Sequence, residues 1–509
     1  MANIANLIEQ MLQPSFYPHP ITKKIELIQT HASYIFLTGE YAYKIKKEVD
    51  FGFLDYSTLA KRKFFLDAEL RLNRQVAPEL YLEVIPIGKR DENFILNSLE
   101  NIWEYTLKMR QFPQENLFSN LLKAEALDSD RIGELGNIVA EFHQQAKTDD
   151  YISSFGTVDK IRTAFEENYQ QSRKYISNVQ TEEQYRETKA YSDRFFTQRQ
   201  DLFRNRIKEQ KIKECHGDLH LKNICLWQGK IQLFDRIEFN ESFRFVDTMY
   251  DVAFVVMDLS AKQRSDLANV FLNSYLEYTG DWMGLRLLPL YLSRQAYVRA
   301  KVNSFLLDDS QVDETDKQQA REAARDYYRQ AYQYTQTASG SIILMSGLSG
   351  SGKSTVAREV ARDIGALQIR SDAVRKHLAG IALNEVGDGI YTPKMNQKTY
   401  DRLEELGIML AKEGYNVILD AKYDRHNLRQ AVIKQAQVSN IPLKIIYCTA
   451  PLSVLRDRLV RRQNDISDAD ADLIESQKAN AEDFSTAERA LVTTVDTSEA
   501  NWQEKLNNI

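Results

Sequence analysis

An eight-residue, glycine-rich segment in the last third of the chain determines the fold around it. Residues 347–354 read GLSGSGKS and satisfy the pattern GxxxxGK[ST]. The apolar, strand-like run 342–345 precedes the segment, and a helical pattern over 355–364 follows it. A strand, this loop and a helix in that order form the cradle in which backbone amides surround phosphate groups. The sequence therefore predicts a nucleotide-binding α/β domain.

The loop residues have separate expected roles. The glycines let backbone N–H groups turn toward the phosphates, Lys353 reaches the β- and γ-phosphates, and Ser354 binds Mg²⁺. We therefore predict ATP and Mg²⁺ as ligands. The residues expected to contact the nucleotide are Gly347, Leu348, Ser349, Gly350, Ser351, Gly352, Lys353, Ser354 and Thr355.

The sequence around this loop alternates apolar runs with helical stretches, which is typical of a parallel α/β sheet. The predicted strands are 342–345, 367–369, 417–419, 443–447 and 491–495. Asp420 closes the third of them and is the expected second Mg²⁺ ligand. Ala421 follows where many ATPase motors have an additional acid that activates water, so the pattern favours a kinase over a hydrolytic motor.

Asp372 follows the strand 367–369 at the edge where open α/β sheets bind ligands. A carboxylate there is suited to accept a proton from an acceptor hydroxyl, and Arg375 is suited to bind an anionic group of the acceptor. The alternative is that Asp372 caps the next helix.

Four arginines crowd one helical segment, namely Arg456, Arg458, Arg461 and Arg462. Arginines in such a lid can close over a nucleotide and stabilise the charge that develops during transfer, a role we assign to Arg458 and Arg462. The alternative is a solvated basic face.

With its loop, the element Ser371-Asp372-x-x-Arg375 and the arginine-rich segment, this domain resembles the P-loop kinases that include polynucleotide 5′-hydroxyl kinases, gluconate-kinase-like enzymes and zeta-toxin-like kinases. The sequence has no NKxD-type guanine motif, so the resemblance implies ATP as the nucleotide.

A second motif lies near the middle of the chain. Residues 216–223 read HGDLHLKN and fit HxDxxxxN, and a strand-like run over 231–234 leads to Asp235. In phosphoryl transfer one carboxylate orients the attacking hydroxyl, whereas an asparagine and another carboxylate hold the metal ions. Asp218 fits the first role, and Asn223 and Asp235 fit the second.

The histidines of this motif, His216 and His220, also have the spacing of a zinc-binding pair. Gly217 between them and the lack of an HExxH glutamate make zinc binding the weaker interpretation.

A predicted β-hairpin over 34–46 supplies the lysine that such a site needs. Lys44 in Ala42-x-Lys44 matches the phosphate-anchoring lysine of kinases, although Lys46 points to the same strand face. Glu69, on an amphipathic helix predicted over 59–76, is the expected carboxylate partner of Lys44.

On these residues the first part of the chain resembles the aminoglycoside phosphotransferase and choline kinase group of kinase-like folds. It lacks the glycine of DFG after Asp235 and has only a short Thr38-Gly39-Glu40 turn in place of GxGxxG. The resemblance implies that Asp251 braces the catalytic loop and that Glu238 also matches a family position.

The order of the two domains resembles that of bifunctional aminoglycoside phosphotransferase/ATP-binding proteins. The resemblance implies an α+β, two-lobed kinase-like fold over 1–335, with a small lobe to about 110 and a helical lobe over about 111–335. An α/β P-loop fold with a parallel sheet is expected over 341–509, after the flexible stretch 337–341.

Length and charge limit the remaining possibilities. A chain of 509 residues exceeds the roughly 250–300 residues at which single domains stop growing. The net charge of −6 gives no broad positive field for a polyanion, so binding to nucleic acid is compatible with the sequence but unsupported by it. The three cysteines have no spacing that suggests a disulfide framework or a metal site, and no apolar run is long enough to span a membrane. We therefore expect a cytoplasmic protein. The oligomeric state is left open.

Together these features predict an ATP-dependent phosphotransferase with two sites, each acting on an unidentified hydroxyl-bearing acceptor. One alternative is a regulator that binds nucleotide without transferring phosphate. Another is 5′-hydroxyl kinase activity on polynucleotides at the P-loop site.

Overall fold

The chain folds as two compact units in the computed structural model, which describes residues 2–310, 312–387, 389–461, 466–467 and 473–506. The first unit comprises Met1–Asp128, Gln145–Ala164 and Phe203–Asp258, and the second comprises Ser129–Gln144, Phe165–Leu202 and Leu259–Ile509. The second unit therefore includes helical segments from before residue 335 together with the P-loop region. The domain boundary expected between 335 and 341 stays a prediction.

A six-stranded antiparallel sheet forms the core of the first unit, in the order β1-β2-β3-β6-β4-β5. Its strands are β1 Glu26–Gln29, β2 Ser33–Leu37, β3 Tyr41–Lys46, β4 Tyr81–Arg90, β5 Asn93–Leu96 and β6 Ile102–Arg110. The β2–β3 pair confirms the predicted hairpin, with Ile35 opposite Lys44. Buried apolar residues from this sheet, including Phe36, Ile45 and Ile87, pack against Leu7 and Met11 of the N-terminal helix α1, Ala2–Met11.

Helix α2, Leu59–Asn73, packs on this sheet and carries Glu69 into the interior. Thr58 caps its N-terminus by accepting a hydrogen bond from the Lys61 N–H. The helix was predicted to extend to residue 76 but ends at Asn73, because the Asn73 amide turns back to donate to the Glu69 carbonyl and also accepts from the Arg236 N–H. Its end is fixed by a contact that is distant in sequence.

The middle of the chain is mostly helical and contains two short strand pairs. The helices are α3 Phe118–Lys123, α4 Ser129–Gln145, α5 Asp150–Ser153, α6 Val158–Ser172, α7 Glu182–Gln198, α8 Gln200–Lys208, α9 Glu241–Arg244, α10 Thr248–Ala261, α11 Ser265–Thr279, α12 Leu288–Leu306 and α13 Glu314–Gln333. Strand β7, Ile212–Glu214, pairs with β10, Phe245–Asp247, and β8, Ile224–Trp227, pairs with β9, Lys230–Leu233. The β8–β9 hairpin lies between the HGDLHLKN motif and Asp235.

The P-loop region contains the predicted five-stranded parallel sheet, in the order β12-β13-β11-β14-β15. Its strands are β11 Ser341–Ser346, β12 Leu367–Arg370, β13 Asn416–Asp420, β14 Leu443–Thr449 and β15 Val492–Asp496. The helices are α14 Lys353–Ile364, α15 Ser371–Ala379, α16 Pro393–Lys412, α17 His426–Val438, α18 Leu452–Arg461, α19 Leu473–Asn480 and α20 Thr486–Arg489. Buried Met345, Val356, Ile418, Ile446 and Val495 form the core between the sheet and α14. The predicted fold class is confirmed for both regions.

Across the described part of the chain, no helix is long and apolar enough to cross a membrane. The three cysteines, Cys215, Cys225 and Cys448, are buried free thiols.

Candidate active sites

Lys44 on β3 is the centre of the charged cluster in the first unit. Its Nζ lies 2.7 Å from Glu69 Oε1 on α2 and 2.8 Å from Asp235 Oδ1 after β9. Burial opposes the charge on Lys44, but the carboxylates of Asp235 and Glu69 outweigh it, so the pKa of the ammonium lies well above its ordinary value. The structure therefore brings together three residues that the sequence placed in one site.

A second buried lysine shares the same carboxylate. Lys46 Nζ lies 2.8 Å from Glu69 Oε2, 2.5 Å from Glu238 Oε1 and 3.2 Å from the Tyr56 hydroxyl, which also donates to Glu238. Glu69 is fully buried, yet the two lysines lower the pKa of its carboxyl to about 2 despite the opposing effect of burial. Lys46 is thus a buried structural cation, whereas Lys44 is the lysine that reaches Asp235.

The HGDLHLKN segment, residues 216–223, positions its carboxylate through a network of local hydrogen bonds. The Asn223 amide donates to the Asp218 carbonyl at 2.9 Å and lies 3.4 Å from Asp218 Oδ2. Because that nitrogen is engaged, the amide oxygen is the atom Asn223 offers to a cation. The side chains of Asp218 and Asp235 remain 37% and 44% exposed, so both carboxylates are accessible to a substrate.

Asp251 on α10 holds the start of this segment by hydrogen bonds to its backbone. Its two oxygens accept hydrogen bonds from the backbone N–H groups of His216 and Gly217, at 2.7 and 2.9 Å. Gly217 has a φ of 87°, and a Cβ there would lie 2.5 Å from the Phe243 carbonyl oxygen, so only glycine fits the turn. The geometry agrees with the bracing role that the family resemblance implied.

The two histidines of the segment hold the loop rather than forming a helical zinc pair. His216 Nδ1 accepts from the Asp218 N–H, which leaves Nε2–H to donate to the Phe234 carbonyl at 2.9 Å. His220 Nδ1 likewise accepts from the Lys222 N–H, and His220 Nε2 lies 3.4 Å from Asp218 Oδ2. Burial lowers the pKa of His216 to about 4, so this ring is neutral near pH 7.

The P-loop adopts a cradle that its glycines require. Gly347, Gly350 and Gly352 have φ values of 137°, 79° and 81°. A Cβ at Gly347 would lie 2.3 Å from the Cys448 carbonyl oxygen, and one at Gly350 would lie 2.8 Å from the Leu455 carbonyl oxygen. The backbone can turn its amides inward only without these side chains.

Lys353 and Ser354 begin helix α14 at the mouth of this cradle. The Lys353 ammonium donates to the Leu348 carbonyl at 2.8 Å, and its burial lowers the pKa although Asp420 opposes that effect. A buried cation in this position favours a polyanionic ligand because such a ligand restores its electrostatic partners. Asp420 ends β13, where it lines the same cavity as Lys353 and Ser354.

Asp372 and Arg375 lie one turn apart on α15, at the end of β12. Asp372 is in the first turn of that helix and is not its cap, because the cap residue is Arg370. The Arg375 guanidinium donates to Asp372 Oδ1 at 3.0 Å and to Asn396 Oδ1 at 3.2 Å, and lies 4.7 Å from the centre of the Tyr391 ring. The helix-capping alternative for Asp372 is therefore wrong.

The arginines of α18 differ in what they contact. Arg458 donates to the Gly350 carbonyl and to both oxygens of Thr497, so it braces the P-loop directly. Arg456 forms an exposed ion pair with Glu475, and Arg461 lines the cavity. Arg462, which was predicted to contact the nucleotide, lies outside the described residues.

One cavity of about 1250 Å³ joins these features in the P-loop region. Its lining includes the P-loop residues Lys353 and Ser354 together with Arg370, Asp372, Arg375, Tyr391, Tyr400 and Lys422. The lining therefore combines residues of the phosphate cradle and Asp420 with cationic and aromatic side chains.

The residues present fit ATP and Mg²⁺ at both sites. Among the described residues, the buried Ser351 Oγ has no hydrogen-bond partner within the P-loop cradle. Asn223 and Asp235 in one site, and Ser354 and Asp420 in the other, supply the oxygen ligands that Mg²⁺ prefers.

Several residues around these sites carried no signal in the sequence. Gln368 donates to Asp420 Oδ2 at 2.9 Å. Gln477 accepts from the Ser349 N–H at 3.0 Å and donates to its hydroxyl. Thr497 donates to the Ser351 carbonyl. Each joins segments more than 50 residues apart, and a single glutamine or threonine has no motif that would have identified it.

The first region thus has the sheet, the Lys44–Glu69 pair and the HxDxxxxN segment of a kinase-like fold, and the second has a P-loop fold. A family model described as "AAA domain" matches residues 342–484. The chain belongs to the family of the Mycobacterium tuberculosis protein named "Uncharacterized protein Rv2004c", with which it shares 30% identity over 485 residues, covering 92% of this chain and 93% of the relative.

Two further comparisons each cover part of the chain. An adenylyl-sulfate kinase of Myxococcus xanthus is 32% identical over 133 residues, which is 24% of this chain and 64% of that enzyme. A crystal structure of a choline/ethanolamine kinase family protein from Mesorhizobium loti covers 65% of this chain and 99% of its own, with 10% identity and a TM-score of 0.37.

Proposed function

We propose that this protein is an ATP-dependent phosphotransferase with two active sites, in domains spanning residues 1–335 and 341–509. Each site transfers the γ-phosphoryl group of ATP to a hydroxyl acceptor. The observation that carries the proposal is that each site combines a lysine, a carboxylate suited to receive a proton and oxygen ligands suited to Mg²⁺. The likeness of part of the chain to an adenylyl-sulfate kinase also supports phosphoryl transfer in general.

In the kinase-like site, Asp218 orients the acceptor hydroxyl and accepts its proton. The acceptor oxygen forms a bond to the γ-phosphorus while the bond from that phosphorus to the β,γ-bridging oxygen breaks, and ADP leaves. Lys44, fixed by Glu69, neutralises phosphate charge. The exposed fractions of Asp218 and Asp235 support this assignment because both carboxylates can contact a ligand.

In the P-loop site, Asp372 has the corresponding role, and Lys353 with the loop amides contacts the phosphates. Arg375 is the residue we assign to the acceptor. It is only 6% exposed, its Nε has no hydrogen-bond partner among the described residues, and it lines the cavity. An anionic group of the acceptor would accept a hydrogen bond from Arg375 Nε. The Tyr391 ring, which lies against the guanidinium, would shield that contact from water.

Mg²⁺ would be held by Asn223 and Asp235 in the first site and by Ser354 and Asp420 in the second, where it would neutralise the charge of the phosphates. The protein's own residues then need only position the acceptor and remove one proton per transfer.

Transfer of labelled γ-phosphate from ATP into fractionated cell extract tests the proposal. The wild-type protein is compared with Asp218→Asn, with Lys353→Ala and with the double variant. We expect one set of labelled products to disappear with Asp218→Asn, another with Lys353→Ala, and both with the double variant.

The outcomes separate the alternatives. If wild-type protein labels nothing although both sites bind ATP, the nucleotide-binding regulator replaces the kinase. If the product lost with Lys353→Ala is a labelled 5′ end of a polynucleotide, the P-loop site is a polynucleotide kinase. Labelling that is unchanged in the double variant contradicts the proposal for both sites.

A further inference from the structure

Two asparagines of helix α11 complete the edge of the P-loop sheet. Strand β12 is the outer strand, and its inner side pairs with β13. On the outer side, the amides of Asn269 and Asn273 both donate to the Ala366 carbonyl, at 2.8 and 3.0 Å, and Asn273 Oδ1 accepts from the Gln368 N–H at 2.8 Å. These side chains make the hydrogen bonds that a neighbouring strand would make.

The asparagine pair is itself fixed. Asn269 and Asn273 are one helical turn apart, and the Asn273 amide also donates to Asn269 Oδ1 at 3.0 Å. Asn269 is 8% exposed, so its polar atoms depend on these protein contacts rather than on water.

The residue held in this way connects directly to the proposed metal site. The Gln368 side chain donates from Nε2 to Asp420 Oδ2 at 2.9 Å and lies 3.3 Å from the Ser354 carbonyl oxygen. Asp420 and Ser354 are the two proposed Mg²⁺ ligands. A hydrogen bond to one carboxylate oxygen fixes the rotation of the carboxylate and leaves the other oxygen directed at the cation.

The same helix also contacts the element that carries Asp372 and Arg375. Glu277 Oε1 lies 3.5 Å from the Arg370 guanidinium, and the Glu277 carbonyl lies 2.8 Å from His377 Nε2 on α15. After the helix ends, a Cβ at Gly280 would lie 2.9 Å from the His377 ring, so the approach is close. Helix α11 therefore supports both β12 and α15.

We propose that Gln368 and Asn273 are positioning residues of the P-loop site. Asn273 fixes the backbone of Gln368, and Gln368 fixes the Asp420 carboxylate for Mg²⁺. Helix α11, which precedes the P-loop by more than 65 residues, is then part of the metal-binding machinery of that site. This inference rests on the proposed function in one respect, the assignment of Asp420 as a Mg²⁺ ligand.

The test is Mg²⁺-dependent binding of a fluorescent ATP analogue to the full-length protein. An Asp235→Asn background removes a proposed Mg²⁺ ligand of the other site, so that the Mg²⁺-dependent part of the signal reports the P-loop site. In that background Gln368→Leu is expected to raise the Mg²⁺ concentration for half-maximal binding by about 10- to 100-fold, as is usual when the hydrogen-bond partner of a metal ligand is lost. Binding without Mg²⁺ is expected to stay unchanged, because Lys353 and the loop amides remain.

Two variants of Asn273 distinguish positioning from folding. Asn273→Leu removes the acceptor for the Gln368 N–H and is expected to shift the Mg²⁺ dependence in the same direction. Asn273→Asp retains that acceptor but replaces the amide that donates to Ala366 and Asn269 with a carboxylate oxygen, so it is expected to shift the Mg²⁺ dependence less than Asn273→Leu does. Asn303→Ala, on α12, removes an amide that donates within its own helix and is the matched control, with no expected shift.

Mg²⁺ dependence in Gln368→Leu equal to that of the parent protein overturns the inference. Equal losses of binding with and without Mg²⁺ in Gln368→Leu overturn it too, because they indicate a general loss of structure. If the Mg²⁺ shift occurs but the wild-type protein transfers no phosphate, the proposed function fails and the positioning role stands.

Discussion

Glu69 Oε1 lies 2.7 Å from Lys44 Nζ, across 25 residues of sequence, and this contact joins helix α2 to the central strands of the sheet. The other oxygen of the same carboxylate binds Lys46. One buried acid thus serves two lysines, of which one reaches Asp235 and the other reaches Glu238. The two lysines should therefore differ in what their loss does to the protein.

Replacement of Lys44 by methionine should reduce transfer at the kinase-like site much more than it reduces stability. Glu69 keeps Lys46, and the half-exposed Asp235 is solvated, so little buried charge is left unpaired. We expect phosphate transfer at this site to fall by about 10²-fold or more, as for the loss of other groups that stabilise developing charge. The measurement is the initial rate of product labelling, with urea unfolding of the same variant.

Lys46→Met is the matched comparison and should show the reverse balance. Loss of the Lys46 ammonium leaves the buried Glu238 carboxylate, a residue only 8% exposed, without the cation that pairs with it. Breaking a buried pair in this way costs about 3–5 kcal/mol of unfolding free energy. If Lys44→Met proves to be the less stable variant and Lys46→Met the less active one, the roles assigned to the two lysines are reversed.

Asp218→Asn should abolish most transfer at the kinase-like site and leave nucleotide binding intact. Loss of a general base costs about 10²- to 10⁴-fold in rate, whereas Asn223 and Asp235, the proposed metal ligands, are unchanged. Asp308→Asn removes a carboxylate from an exposed ion pair with Lys174 and serves as the control, with normal activity expected. A rate for Asp218→Asn within a few fold of wild type would exclude Asp218 as the base.

The structural features that could be predicted from the sequence are those marked by residues close together in the chain. The strand–loop–helix of the P-loop was predictable because its positive-φ glycines and its lysine lie within eight residues. Asp218 and Asn223 were predictable from a fixed spacing. The Lys44–Glu69 contact was expected because Ala42-x-Lys44 matches the phosphate-anchoring lysine of kinases, which needs a carboxylate partner, and periodicity placed Glu69 on the following helix.

The parts that could not be predicted depend on contacts between distant segments. Lys46 and Glu238 are 192 residues apart, and Gln368 and Asp420 are 52 apart. Neither pair has a periodicity or a motif. The early end of helix α2 has the same origin. The Asn73 side-chain oxygen accepts a hydrogen bond from the backbone N–H of Arg236, which lies far along the chain. The prediction from local propensity made the helix three residues too long, because propensity contains no information about the contact with Arg236.

Gly347→Ala should damage the P-loop itself. The residue has a φ of 137°, and the added Cβ would lie 2.3 Å from the Cys448 carbonyl oxygen and 2.8 Å from Ser351 Oγ. Backbone atoms must move to relieve the first contact, so we expect ATP binding at this site to be lost. Isothermal titration in an Asp235→Asn background measures that loss.

Gly365→Ala is a suitable control because it makes the same substitution at a positive-φ glycine where the added Cβ meets no neighbouring atom. Gly365 ends helix α14 with a φ of 65°, and its Cβ would meet no atom within 4 Å. Only the left-handed conformation is then penalised, by about 1–2 kcal/mol, and ATP affinity should not change. Equal effects of the two variants on binding would mean that the close approach at Gly347 is not what shapes the cradle.

The kinase-like fold should lose stability in mild acid because of His216. Burial lowers the pKa of this residue to about 4, against about 6.5 in an unfolded chain. The folded state therefore binds fewer protons than the unfolded state between these values. The stabilisation is complete above about pH 6.5 and is lost as the pH falls toward 4, by up to about 3 kcal/mol.

The hydrogen bonds around the ring are those of a neutral imidazole. Nδ1 accepts from the Asp218 N–H, and a proton on that nitrogen would face the donor and break the bond that shapes the loop. Urea unfolding of wild type and His216→Asn between pH 7 and 4 measures the effect, and the variant should lose the part of the slope that this histidine supplies. The exposed His31→Asn is the control and should keep the acid sensitivity of the wild type. Parallel slopes for wild type and His216→Asn would show that His216 does not bind a proton on unfolding in this range, contrary to its buried, neutral state in the fold.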